Sequence, residues 1–155
     1  MQKILYTIAL VMAIALSGQA QNHTRDNNNQ NNMPPPAVQQ TFQKEHPTAK
    51  DVNWQRTNHQ WHSRHTDETN NTHVDTYYNQ NGNRVDSHQP IERNAVPHEV
   101  DQHVQDRYHA DDYTAIRIDR PNHPFVFQLD VRQKKKHRKV YVDQRGHEVN
   151  YNDRH

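Results

Sequence analysis

The chain has 155 residues, with 19 lysines and arginines against 18 aspartates and glutamates, and 14 histidines. A formal charge of +1 argues against a general polyanion binder, which needs a strong basic surplus. With no cysteine there is no disulfide and no lipid attachment at cysteine, and 30% hydrophobic residues leave enough apolar surface for only a modest core.

Residues 1–20 read as a secretory signal peptide. Lys3 gives a positive start, "ILYTIALVMAIAL" an apolar run, and Gly18-Gln19-Ala20 a small-residue cleavage site. The run is shorter than the ~20 residues that span a bilayer. Cleavage would therefore leave a soluble, periplasmic or secreted chain with no stable membrane insertion. Residues 21–33, "QNHTRDNNNQNNM", bury too little to offset chain entropy and are expected to form an Asn/Gln-rich disordered tether.

Residues 34–93 and 94–155 are expected to be two copies of one unit. Pro35, Val38, Phe42 and His46 are spaced as Pro97, Val100, Val104 and Tyr108 are. Both sets predict short amphipathic helices, at 35–46 and 97–108. The period then changes to two. Val52 and Trp54 correspond to Ile116 and Ile118, and Trp61 to Phe125; Phe127, Leu129 and Val131, then Val140 and Val142, alternate with polar residues. Half-buried antiparallel strands with these residues inward are expected. "YYNQNGNRV" and "YVDQRGHEV" place Gly82 and Gly146, the two glycines beyond residue 20, at one point of both units. A turn between third and fourth strands, with positive φ at glycine, follows. The fold class is α+β, a tandem repeat of a helix plus a four-stranded antiparallel sheet. The first unit is the leaner, with Ser63 and His65 where the second has Phe127 and Leu129, so its sheet is expected to lean on the second.

With "PPAVQQTFQKEHPTAKDVNW", "YYNQNG", "VPHEVDQHVQDRY" and "KVYVDQRG", the chain resembles the PepSY-like family, also described as beta-lactamase-inhibitor-like, of exported bacterial envelope proteins. The resemblance covers nearly all of 34–152. It implies tandem helix-plus-sheet units whose sheets offer a broad face to a partner protein, and it implies no catalytic residues. The abundance of histidine and the two-sided polarity of "QWHSRHTD" depart from that pattern.

The residues themselves offer little chemistry and no resident cofactor. Ser63 and Ser87 sit in no nucleophile elbow, and His62, as Ser63's strand neighbour, points to the other face. "RQKKKHRK", 132–139, lacks interleaved aromatics, so it reads as a solvated loop rather than a specific nucleic-acid site. Two readings stay open. Tyr77 and Tyr141 occupy equivalent outward places, opposite in parity to Tyr78 and Val142. With Arg64, Arg117 and Gln128 on similar faces they would form an amphipathic patch for an envelope protein. Alternatively, His62, His65 and His73 would bind a metal or buffer protons, with His65 opposite His73 across the "TDETNN" turn.

Overall fold

The computed structural model describes residues 33–57, 59–110, 112–133 and 136–151. The expected signal peptide, and the tether as far as residue 32, lie outside them. Two helices form where the apolar spacing places them, α1 at Pro36–Glu45 and α2 at His98–Tyr108. Each begins after a proline, Pro35 at φ −55° and Pro97 at φ −56°. Ring-fixed φ suits a helix start, and each proline carbonyl accepts from the amides three and four residues on. Val38 and Phe42 form the buried face of α1; Val100, Val104 and Tyr108 form that of α2.

The strands are β1 Ala49–Thr57, β2 Gln60–Asp67, β3 Thr72–Asn79, β4 Arg84–Ile91, β5 Tyr113–Asp119, β6 Val126–Gln133 and β7 Lys136–Val142. They form one seven-stranded antiparallel sheet in chain order. A 3-10 turn, Arg93–Ala95, and α2 intervene between β4 and β5, which pair directly.

Register assigns the faces. Under α1 lie Trp61 opposite Tyr78, with Trp54 and Ala49 against them. Under α2 lie Tyr113, Ala115, Phe127, Leu129, Val131, Val140 and Val142. Thr76 opposite Ser87 and Ser87 opposite Asp119 connect the two groups across the sheet. Both helices therefore pack on the same face, and the other face, here the open face, carries none.

Four expectations change. In place of two four-stranded sheets there is one sheet of seven strands. Where a strand was expected after Gly146, only the bridge between Val142 and Glu148 forms. Beyond it the chain carries Val149 and Tyr151 against the open face, where they pack with Ile116, Ile118, Val126 and Tyr141. For that reason Ile116 and Ile118 face away from the helices, and Tyr113 and Ala115 take the inward places. Val52, expected inward, is 37% exposed. It still lines the cleft beside α1 with Phe42 and Trp54. An irregularity between Lys50 and Asn53, with Asp51 at φ 51°, shifts the parity of β1 so that Ala49 and Trp54 both face the helix.

The glycine turns match bond for bond. Gly82 N–H donates to Asn79 O and Gly146 N–H to Asp143 O, both at 3.1 Å. Asn79 Oδ1 accepts from Asn81 N and Asn83 N; Asp143 Oδ1 accepts from Arg145 N and His147 N. Both glycines have positive φ, 85° and 79°. Their α-carbons also lie against a helix start: a Cβ on Gly82 would meet the Ala37 backbone, and one on Gly146 the Glu99 backbone.

Candidate functional site: the open face of the sheet

With the helices on one side, the outward parity of β2, β3, β4, β6 and β7 makes a polar and aromatic band. His62 Nε2–H donates to Asp75 Oδ1 at 2.6 Å, and Arg64 Nε donates to the same oxygen at 3.0 Å. Burial raises the Asp75 pKa, but the hydrogen bonds and charges of His62 and Arg64 outweigh it and hold the carboxyl below its ordinary range. The His62 ring stacks on Tyr77 with centroids 4.6 Å apart, and Tyr77 leans on His88 at 5.2 Å. His88 Nε2 stands 3.3 Å from Asp86 Oδ1.

Asp86 is the deepest charge on this face, 2% exposed, and its Oδ2 accepts from the Tyr151 hydroxyl at 2.7 Å. Tyr151 in turn packs on Tyr141 at 4.7 Å, and the Tyr141 hydroxyl donates to Gln128 Oε1. The band thus crosses the sheet from Arg64 to Gln128. Removing one donor from a buried carboxylate costs about 1–3 kcal/mol. Tyr151→Phe is therefore expected to lower stability by about 2 kcal/mol, read in a urea titration. An unchanged midpoint would show that Asp86 does not need this bond.

Of the expected interface residues, Arg64, Tyr77, Gln128 and Tyr141 share the open face. Arg117 does not. It alternates with Ile116 and Ile118, so once these face Tyr151 it must point to the helix side. There it lies opposite Phe127, its guanidinium carbon 4.1 Å from the Phe125 ring centroid, and it bonds Asp119 Oδ1. Tyr77 and Tyr141 stand on β3 and β7, four strand spacings or roughly 19 Å apart. They belong to one band without touching.

The histidine trio does not converge. His62 and His73 are on the open face, whereas His65 is under α1 and 1% exposed. His65 lies opposite Val74, and His73 opposite Thr66. The register differs by one residue from that expected, which sends the two rings to opposite faces. Among the described residues no group of three or more histidine or carboxylate side chains could hold a metal ion. Ser63, 0% exposed beneath α1, is remote from the outward His62. The basic stretch Lys136–Lys139 is exposed along β7, at the rim of the sheet.

Sequence reasoning missed Asp75, Asp86, His88 and Tyr151. The first three share parity with Tyr77 or its partner Asp86 and were accessible to the period-two argument. Nothing in the sequence places Tyr151, because its position depends on how the chain leaves the bridge at Glu148.

Among the described residues no helix is long and apolar enough to cross a membrane. No protein-family profile matches the chain, and no curated protein matches it significantly. Solved structures do match. A DUF2874 family protein from Bacteroides ovatus superposes with a TM-score of 0.69 at 17% identity, over 76% of this chain and 86% of that one. A BLIP-like protein from Bacteroides fragilis gives 0.67 at 19% identity, over 79% and 92%. A protein from Bacteroides eggerthii, provisionally described as periplasmic, gives 0.69 at 13%, over 76% and 87%. The inhibitor-like half of the sequence resemblance has a counterpart in these descriptions and the PepSY half has none. At such identities the likeness is one of fold: this chain has the α+β architecture of the BLIP-like and DUF2874 structures.

Proposed function

We propose that this is an exported, non-enzymatic protein of the bacterial cell envelope that binds or inhibits another envelope protein through the open face of its sheet. Residues 1–20 serve as signal peptide and 21–33 as tether. Residues 34–93 and 94–155 are two copies of one unit, a history that the matched glycine turns and proline-led helices support. The observation that carries the reading is the helix-free band from Arg64 to Gln128. It combines half-buried aromatic rings with fixed charges, the mixture that protein interfaces favour. The BLIP-like and provisionally periplasmic descriptions of the fold neighbours agree with this location and role.

The test uses residues 21–155 as bait in the envelope fraction of the native host. A specific partner is expected to be retained by the unaltered chain and by Lys44→Glu, an exposed change on α1. Arg64→Glu combined with Tyr77→Ser is expected to reduce retention at least about tenfold, because centrally buried Arg and Tyr anchors each contribute about 2 kcal/mol or more. Equal retention by both variants rules out this face.

A further inference from the structure

The two units differ at their first hairpin. In the first, the β1–β2 ladder runs to Thr57 opposite Gln60, so the hairpin closes tightly. In the second, the β5–β6 ladder ends at Ile118 opposite Val126. Pro121 and Pro124 lie beyond it, without N–H groups to extend pairing, and Asn122 between them has φ 61°. The separated chain leaves a cavity of about 720 Å³ at this end of the sheet, within the range of ~300–1,000 Å³ usual for small-ligand sites.

Phe125, Val126 and Val149 give the cavity apolar walls, and Arg120, His123 and Arg145 also line it. Arg120 is distinguished by burial: Arg56, Arg107, Arg138 and Arg145 also lack a carboxylate within ion-pair distance among the described residues, but they are exposed, whereas Arg120 is half-buried. Arg64, Arg84, Arg93, Arg117 and Arg132 each pair with a carboxylate. Among the described residues Arg120 has no such partner. Its guanidinium carbon stands 4.8 Å from the Tyr151 ring centroid, and its buried Nε has no acceptor. A half-buried guanidinium that only stacks has lost part of its hydration with no anion in return.

Two acids also line the cavity. Asp143 is occupied within its own turn, accepting from Arg145 N, His147 N and His147 Nδ1. Glu99 is exposed in the first turn of α2, where water screens it.

We propose that this cavity binds a small organic monocarboxylate with an alkyl or aryl body, its carboxylate on Arg120 and its body against Phe125, Val126 and Val149. Guanidinium geometry suits a carboxylate, and the apolar walls require a body that gains from leaving water. The site does not depend on the partner-binding reading.

Isothermal titration calorimetry of the chain with 4-phenylbutyrate and its neutral analogue 4-phenylbutyramide tests this. Saturable one-site binding of the acid is expected, with the amide at least about tenfold weaker, the difference a charge-assisted bond makes. Arg120→Gln should reduce acid binding by a similar factor, and Glu99→Gln should leave it unchanged or tighter. No saturable binding of the acid overturns the proposal, as does equal binding of acid and amide by the unaltered protein. Undiminished binding to a folded Arg120→Gln variant also overturns it.

Discussion

Gly146→Ala is expected to destabilise the protein by roughly 2–5 kcal/mol, a large share of the ~5–15 kcal/mol that holds a domain together. Two costs combine. At φ 79° an alanine meets left-handed strain of about 1–2 kcal/mol. In addition, its Cβ would overlap the Glu99 carbonyl oxygen and stand 3.0 Å from the carbonyl carbon. That neighbour is backbone in the first turn of α2, so relief means moving a helix that covers the larger core, at about 1–3 kcal/mol. Gly146→Asn separates the terms, because asparagine tolerates positive φ but still collides. Chemical denaturation of the three chains reads both. Wild-type stability in the asparagine variant would mean that α2 yields freely and only φ matters. The reason for the paired glycines is then physical: each turn must bend sharply and also pass a helix start closely.

Acidification from pH 7 to pH 4 is expected to remove roughly 3 kcal/mol through one residue, His65. Its ring is 1% exposed, 4.5 Å from that of His46 and 5.0 Å from that of Phe42, and neither nitrogen has a hydrogen-bond partner. Burial, and then the neighbouring His46, push its pKa down to about 4 from the ordinary 6.5; Asp67 and Asp75 oppose this weakly. His46 is itself lowered, chiefly by burial. Above pH 6.5 neither folded nor unfolded chain protonates this ring, so stability does not change. Between 6.5 and 4 the unfolded chain takes up a proton that the folded chain resists, and stability falls as pH falls. Below 4 both forms are protonated and the loss levels off. His65→Leu should flatten this slope and match or exceed wild type at pH 7, since it removes two unsatisfied nitrogens. Urea midpoints at pH 7 and 4.5 decide it. An equal drop in both proteins would assign acid sensitivity to His46 or the carboxylates instead.

The helices were legible in the sequence because a proline followed by two or three apolar residues at helical spacing has one amphipathic solution. The glycine turns were legible because a chain that uses glycine so rarely shows where it is needed. The parity of β3, β6 and β7 followed from alternation, and that of β2 from its correspondence with β6, so Tyr77, Tyr141, Gln128 and Arg64 could be placed outward. β5 could not be read in this way. Tyr113 and Ala115 on one side compete with Ile116 and Ile118 on the other, and what covers the isoleucines is Tyr151, placed by tertiary structure. Arg117 was lost to the same ambiguity. His65 and His73 failed by one register step, settled by the Asp67–Thr72 closure with Asn71 at φ 53°. The cavity at Arg120 had no sequence signature, because it exists where a ladder stops early.

Strand order equal to chain order has a kinetic meaning. Each strand can find its partner by closing a short stretch of chain, except at the β4–β5 junction, where α2 must form within the excursion. Loop closure grows costlier with length, so rates favour such local searches. The bond between Asp86 and Tyr151 spans 65 residues. It gains little until the strands between them are in place, and so acts as a latch set after the zipper has run.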